Sequence, residues 1–185
     1  HNHPSAMEPY GGANTGIDFT WQALGAAGMQ ALIGDSDMLD YLRGDASREA
    51  SPSQSGGFRR RGARLGAIVN SRIALSAGED LRFEALVDPA DLGSPASAAG
   101  LAYTAYLRAK ASRIGLVLVG ANDGMLHGFD AASGAEKFAY VPRTLLAEPV
   151  SATDPRSALV RLADPTFAPR FYVDGATYGE KASEI

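Results

Sequence analysis

Arg43, Gly44 and Asp45 place a guanidinium and a carboxylate on either side of a glycine. On an exposed turn this tripeptide is a candidate for adhesion to integrin-type receptors. The simpler reading is a helix C-terminus, with Gly44 in the left-handed conformation and Asp45 opening the next turn. Arg59, Arg60, Arg61 and Arg64 form the densest charge cluster, a candidate basic patch for phosphate, anionic lipid or an acidic protein surface. A solvated loop face is its plainer explanation, and no interleaved aromatics support nucleic-acid binding. Asn122, Asp123 and Asp130 supply oxygen donors close together. Calcium needs about six to eight oxygens, usually from alternating carboxylates. Here two carboxylates flank a glycine and an apolar run, so turn formation accounts for them. His1 and His3 make a terminal pair of nitrogen donors with no third ligand nearby. No serine–histidine–aspartate set, phosphate loop or paired-carboxylate motif stands out, so no catalytic residue, metal site or cofactor is assigned.

Composition narrows the field further. With 45% hydrophobic residues and 21 glycines, the chain fits a turn-rich folded protein. Zero cysteines remove disulfides and thiolate chemistry together. A net charge of -4 argues against general affinity for nucleic acid. No apolar run approaches the ~20 residues that span a bilayer. The opening His1-Asn2-His3-Pro4 reads as the interior of a longer polypeptide or a processed form.

The elements that must position these residues follow from periodicity. Residues 20–33 have helical spacing, with Trp21, Leu24 and Leu32 on one side. Asp35 to Asp37 can cap a second helix through Leu42, ended by Arg43, Gly44 and Asp45. Residues 46–57 are small and polar, a surface loop. Residues 65–74 are expected as a strand interrupted at Asn70 and Ser71. Residues 88–97 are expected as a loop, and residues 98–111 as a helix with an apolar face. Residues 143–169 are proline-broken and irregular, and residues 170–174 a short strand. Domain boundaries follow: 1–57 as an irregular lead-in with two helices and a loop, and 58–185 as an incomplete β-propeller region with an inserted helix near 98–111.

That propeller expectation comes from residues 115–142. Leu116, Val117, Leu118 and Val119 make a buried strand, and Asn122, Asp123 and Gly124 a tight turn. Residues 125–129 return, Asp130 to Gly134 turn again, and residues 136–141 form a third strand before Pro142. His127 falls mid-strand, where a core or inter-blade hydrogen-bonding role is expected. A meander of this kind cannot close its own edges and implies neighbouring blades. The fold class is therefore mainly β with helical insertions, a partial β-propeller of antiparallel blade strands from a larger ring.

Several segments, in order, carry a wider resemblance: the Trp21 helix, Asp40 to Asp45, Leu65 to Ser71, Lys110 to Arg113, the string VGANDGMLHGFDAASGAEKFAYVP, and Phe171 to Gly175. Together they resemble the C-terminal β-propeller domain of the PilY/PilC-type family of type IV pilus biogenesis factors and pilus-tip adhesins. Where that pattern has an aspartate this chain has Ala67, and Arg72-Ile73 stands where a proline is usual. The resemblance implies pilus assembly and surface adhesion, with pilins, minor pilins, and host or abiotic surfaces as partners. It also implies a periplasmic, outer-membrane or cell-surface location. The family's aspartate-rich calcium loop has no counterpart here. Asp130, Gly134 and Phe138 are similar to the repeat of quinoprotein-type propellers, in which an aromatic docks neighbouring blades. A quinoprotein-like oxidoreductase and a periplasmic propeller scaffold are therefore the alternatives, against the expectation of a non-enzymatic recognition protein.

Overall fold

The computed structural model describes residues 6–7, 16–51, 56–76 and 98–175. His1 and His3 lie outside the described residues, as does the loop expected over 88–97. Strand β1 (Ala6–Met7) pairs antiparallel with β2 (Ile17–Asp18). Helix α1 (Trp21–Ala26) starts where the Thr20 hydroxyl accepts the Ala23 amide. It ends sooner than its periodicity predicts. Gly28, at φ +69, turns the chain left-handed, and a separate 3-10 turn covers Gln30–Leu32. Helix α2 (Ser36–Leu42) follows as expected, with Asp35 accepting the Met38 amide at 2.8 Å.

The centre of the fold is a four-stranded antiparallel sheet. Its strands are β3 (Ala74–Ser76), β4 (Leu116–Ala121), β5 (Met125–Asp130) and β6 (Glu136–Tyr140), adjacent in that order. Helix α3 (Ala98–Ala111) stands between β3 and β4 in sequence. The predicted meander is β4 to β6. The fourth strand enters from well upstream, with Leu75 opposite Val117.

Three expectations change. Residues 65–73 form no regular strand, because their hydrogen bonds go to the β4–β5 turn and to residues 173–174 instead of a neighbouring strand. Residues 170–174 form no strand either: the Tyr172 amide donates to the Asn122 side chain, and the Val173 carbonyl accepts from Ser71. Residues 143–169 are structured, not irregular. They hold α4 (Arg143–Ala147), the hairpin of β7 (Pro149–Ser151) and β8 (Asp154–Ser157), and a 3-10 turn over Ala158–Ala163.

One face of the sheet meets α1, α2 and that 3-10 turn. Met125, Ala139 and Val141 are buried there with Phe19, Leu39, Tyr41 and Leu159. Residues before and after position 58 thus share a single core. Strand alternation puts Leu116, Leu118, Leu126, Phe138 and Tyr140 on the opposite face, where each is only half-buried. The apolar face expected on α3 is not buried: none of its residues 103–111 loses more than part of its exposure, and Tyr103 stacks on Tyr106 instead.

Candidate functional site

The polar groups of the sheet converge at one end, on the turn between β4 and β5. Gly124 takes φ +89 there, with the Leu159 side chain where a Cβ would go. Asp123 Oδ2 accepts the Gly66 amide at 2.7 Å and Oδ1 the Met125 amide at 3.1 Å. The Asn122 amide donates to the Ala67 carbonyl, and its side-chain oxygen accepts the Tyr172 amide. Two residues therefore tie down two distant stretches of chain. Residues 65–71 pass round the turn from one face of the sheet to the other, leaving Gly66 against the Asp123 backbone and Ser71 against Gly120.

Behind the turn, His127 is 5% exposed and touches two carboxylates. Its Nε2 lies 3.1 Å from Asp123, and its Nδ1 2.6 Å from Glu136 Oε1. Phe129 stacks beside the ring, with centroids 5.9 Å apart. Burial alone would lower the imidazole pKa, but hydrogen bonds and charge from Asp123 and Glu136 outweigh it and the net shift is upward. Glu136 reaches His127 only because of a β-bulge. Phe129 opposes Glu136 while Gly128 opposes Phe138, so Lys137 is an extra residue on β6. That extra residue sends Glu136 to the His127 face and keeps Phe138 on the other. A cavity of about 210 Å³ borders the trio, with Arg43, Arg64 and Phe129 also in its walls. Both ring nitrogens are occupied by carboxylates, and no serine, threonine or cysteine lines the cavity. The arrangement is a clasp that locks β4, β5 and β6 together.

The other sequence candidates scatter around this turn. At Arg43, Gly44 and Asp45 the helix closes as its composition suggests. Gly44 has φ +104, its amide donates to Tyr41, and the Asp45 amide reaches back to Asp40 at 2.9 Å. Arg43 turns to the cavity beside His127, while Asp45 is exposed and accepts the Ser47 amide at 2.7 Å, a bond that lowers its pKa. Arg43 thus lines the cavity while the Asp45 carboxylate stays at the surface.

The four arginines also divide. Arg61 is half-buried and fully engaged: Nε meets Glu49 at 2.7 Å, its terminal nitrogens donate to the Tyr41 and Asp45 carbonyls, and the guanidinium lies 3.8 Å from the Tyr41 ring centroid. Arg59 donates to the Leu162 carbonyl at 2.8 Å and covers Phe167. Arg60 and Arg64 are exposed.

At the far end of β5, Asp130 accepts the Ala132 and Ser133 amides, and these bonds lower its pKa. Gly134 closes that turn at φ +71. Phe138 lies over Gly128, whose missing side chain makes room for the ring. Asp123 and Asp130 sit at opposite ends of one strand, so Asn122, Asp123 and Asp130 do not form a calcium cage. Among the described residues no cluster of three histidine or acidic side chains could hold a metal ion. Sequence reasoning did not single out Glu136 or Glu49. The first is hidden by the bulge, and the second by its distance from Arg61 along the chain.

Comparison with known proteins agrees with this architecture. The PilY1 beta-propeller domain family matches residues 65–184. A type IV pilus biogenesis factor PilY1 homolog from Xylella fastidiosa is 34% identical over 167 residues, covering 90% of this chain and 12% of that protein. The type IV pilus biogenesis factor PilY1 of Pseudomonas aeruginosa strain PAK is 33% identical over 178 residues, covering 90% of this chain and 14% of its own length. The chain thus spans about an eighth of these relatives. No solved structure matches it. Matched across the blade, its turns and the segments tied to them, the chain belongs to the PilY1 β-propeller domain family.

Proposed function

We propose that this chain is the propeller portion of a type IV pilus biogenesis factor at the cell envelope, and that it works by non-covalent recognition. The family match over residues 65–184 carries this reading, since those residues also build the blade-type sheet and its clasp. The half-buried apolar row Leu116, Leu118, Leu126 and Phe138 suits a surface on which another blade packs. Such a ring would present rigidly held segments to pilins or minor pilins, and to surfaces the cell meets, without transforming a substrate. Among the described residues no helix is long and apolar enough to cross a membrane.

The test is genetic. The native full-length gene is deleted and replaced by an allele lacking residues 65–175, and surface pili are counted by electron microscopy. Piliation is expected to fall sharply while the truncated protein still accumulates. Pili at wild-type number and length would overturn the proposal.

A further inference from the structure

Between residues 64–69 and 167–171 lies a groove of about 490 Å³, beside the His127 cavity. Its apolar lining includes Leu65, Val69 and Phe171, which are 38%, 58% and 65% exposed. Its ionisable lining, apart from Tyr41, is Arg59, Arg61, Arg64 and Arg170 against one carboxylate, Asp123. Asp123 is already shared by two amides and His127, and Arg61 is answered by Glu49. Among the described residues, no ion pair uses Arg59, Arg64 or Arg170. The chain as a whole carries a net charge of -4, so the groove's charged lining is opposite in sign to the chain's net charge.

We propose that this groove binds an acidic peptide segment of a partner protein, one that also carries bulky apolar side chains. The partner's carboxylates pair with Arg64 and Arg170, where a guanidinium can donate two parallel hydrogen bonds to one carboxylate. Its apolar side chains cover Phe171, Leu65 and Val69, removing them from water. A small inorganic anion would leave that apolar lining unused. A bilayer surface would not follow a concavity whose arginines line its walls. The inference rests on the groove's own chemistry and holds whether or not the partner belongs to a pilus.

The probe is a short dye-labelled peptide in which aspartates alternate with phenylalanines, titrated with the purified full-length protein that carries this chain by fluorescence anisotropy. Binding is expected at low salt and weakens as salt is raised. Joint Arg64→Glu and Arg170→Glu substitution is expected to weaken it about tenfold or more, and Phe171→Ala several-fold. Arg60→Glu, at an exposed position outside the groove, is expected to leave affinity unchanged. Circular dichroism checks that each variant keeps the fold. Equal losses in the Arg60 variant and in the Arg64–Arg170 variant would mean diffuse charge attraction and overturn the proposal. An unaffected Phe171→Ala variant would do the same. So would retention on phosphatidylcholine–phosphatidylglycerol vesicles with no binding of the peptide.

Discussion

His127 has both ring nitrogens against carboxylates and is almost wholly buried. Its folded pKa lies above its ordinary value of 6.5, because Asp123 and Glu136 outweigh the cost of burial. The sign of the linkage follows. The clasp's contribution is complete below about pH 6.5 and is lost as pH rises through the folded value. Thermal melts followed by circular dichroism should therefore show stability declining as pH rises above about 6.5, and His127→Gln should flatten that decline. A wild-type profile that rises with pH over the same interval would refute the assignment. Arg61 makes the complementary case. Truncation to alanine leaves Glu49 half-buried without its cation, removes the side-chain donor to the Asp45 carbonyl, and leaves the Tyr41 carbonyl with the Gly44 amide alone. We expect Arg61→Ala to cost on the order of 3 kcal/mol, a fall of roughly 10 °C in melting temperature. Arg61→Lys should recover only part of it, since lysine lacks the planar fork that reaches Glu49 and both carbonyls. Full recovery by lysine would show that charge alone matters there.

At the level of the element, the blade depends on where side chains are omitted as much as on where they are placed. Gly128 opposes Phe138, and any Cβ there would enter the ring. Gly128→Ala should therefore destabilise by about 1–3 kcal/mol through overpacking, read from denaturant midpoints. An unchanged midpoint would mean that the ring moves aside freely. The binding of residues 65–71 is tested separately. Asp123→Ala should speed hydrogen exchange at the Gly66 and Met125 amides, while distant β5 amides keep their protection. Equal protection in the variant would mean that the turn is held by something other than the Asp123 carboxylate.

These elements also show what the sequence could and could not disclose. The β4–β6 meander was legible because its turns carry Asn122, Asp123, Gly124, Asp130 and Gly134 between short apolar runs. Likewise Asp35 and Gly44 announced both ends of α2. Strand β3 was not legible, since three residues give no period and its partner lies some forty positions away. Residues 65–73 have strand-like composition, yet their backbone partners are Asp123 and Asn122, which periodicity cannot reveal. The candidate site was half visible. His127 and Asp123 drew notice, whereas Glu136 joins them only through a one-residue bulge.

For the whole molecule, the parts argue for a piece of rigid scaffold. One sheet face is committed to the core shared with α1 and α2, while the other keeps an apolar row half-exposed. That asymmetry is what a blade needs between an internal core and a neighbour. The chain corresponds to about an eighth of its PilY1 relatives, so its role has to be measured in the full-length protein. The most direct measurement is cross-linking of piliated cells, affinity purification of tagged full-length protein, and quantitative mass spectrometry of what is captured. Our account predicts enrichment of pilin or minor-pilin peptides that falls when residues 65–175 are removed. Capture of no pilus component by the intact protein, or equal capture by the truncated one, would contradict it.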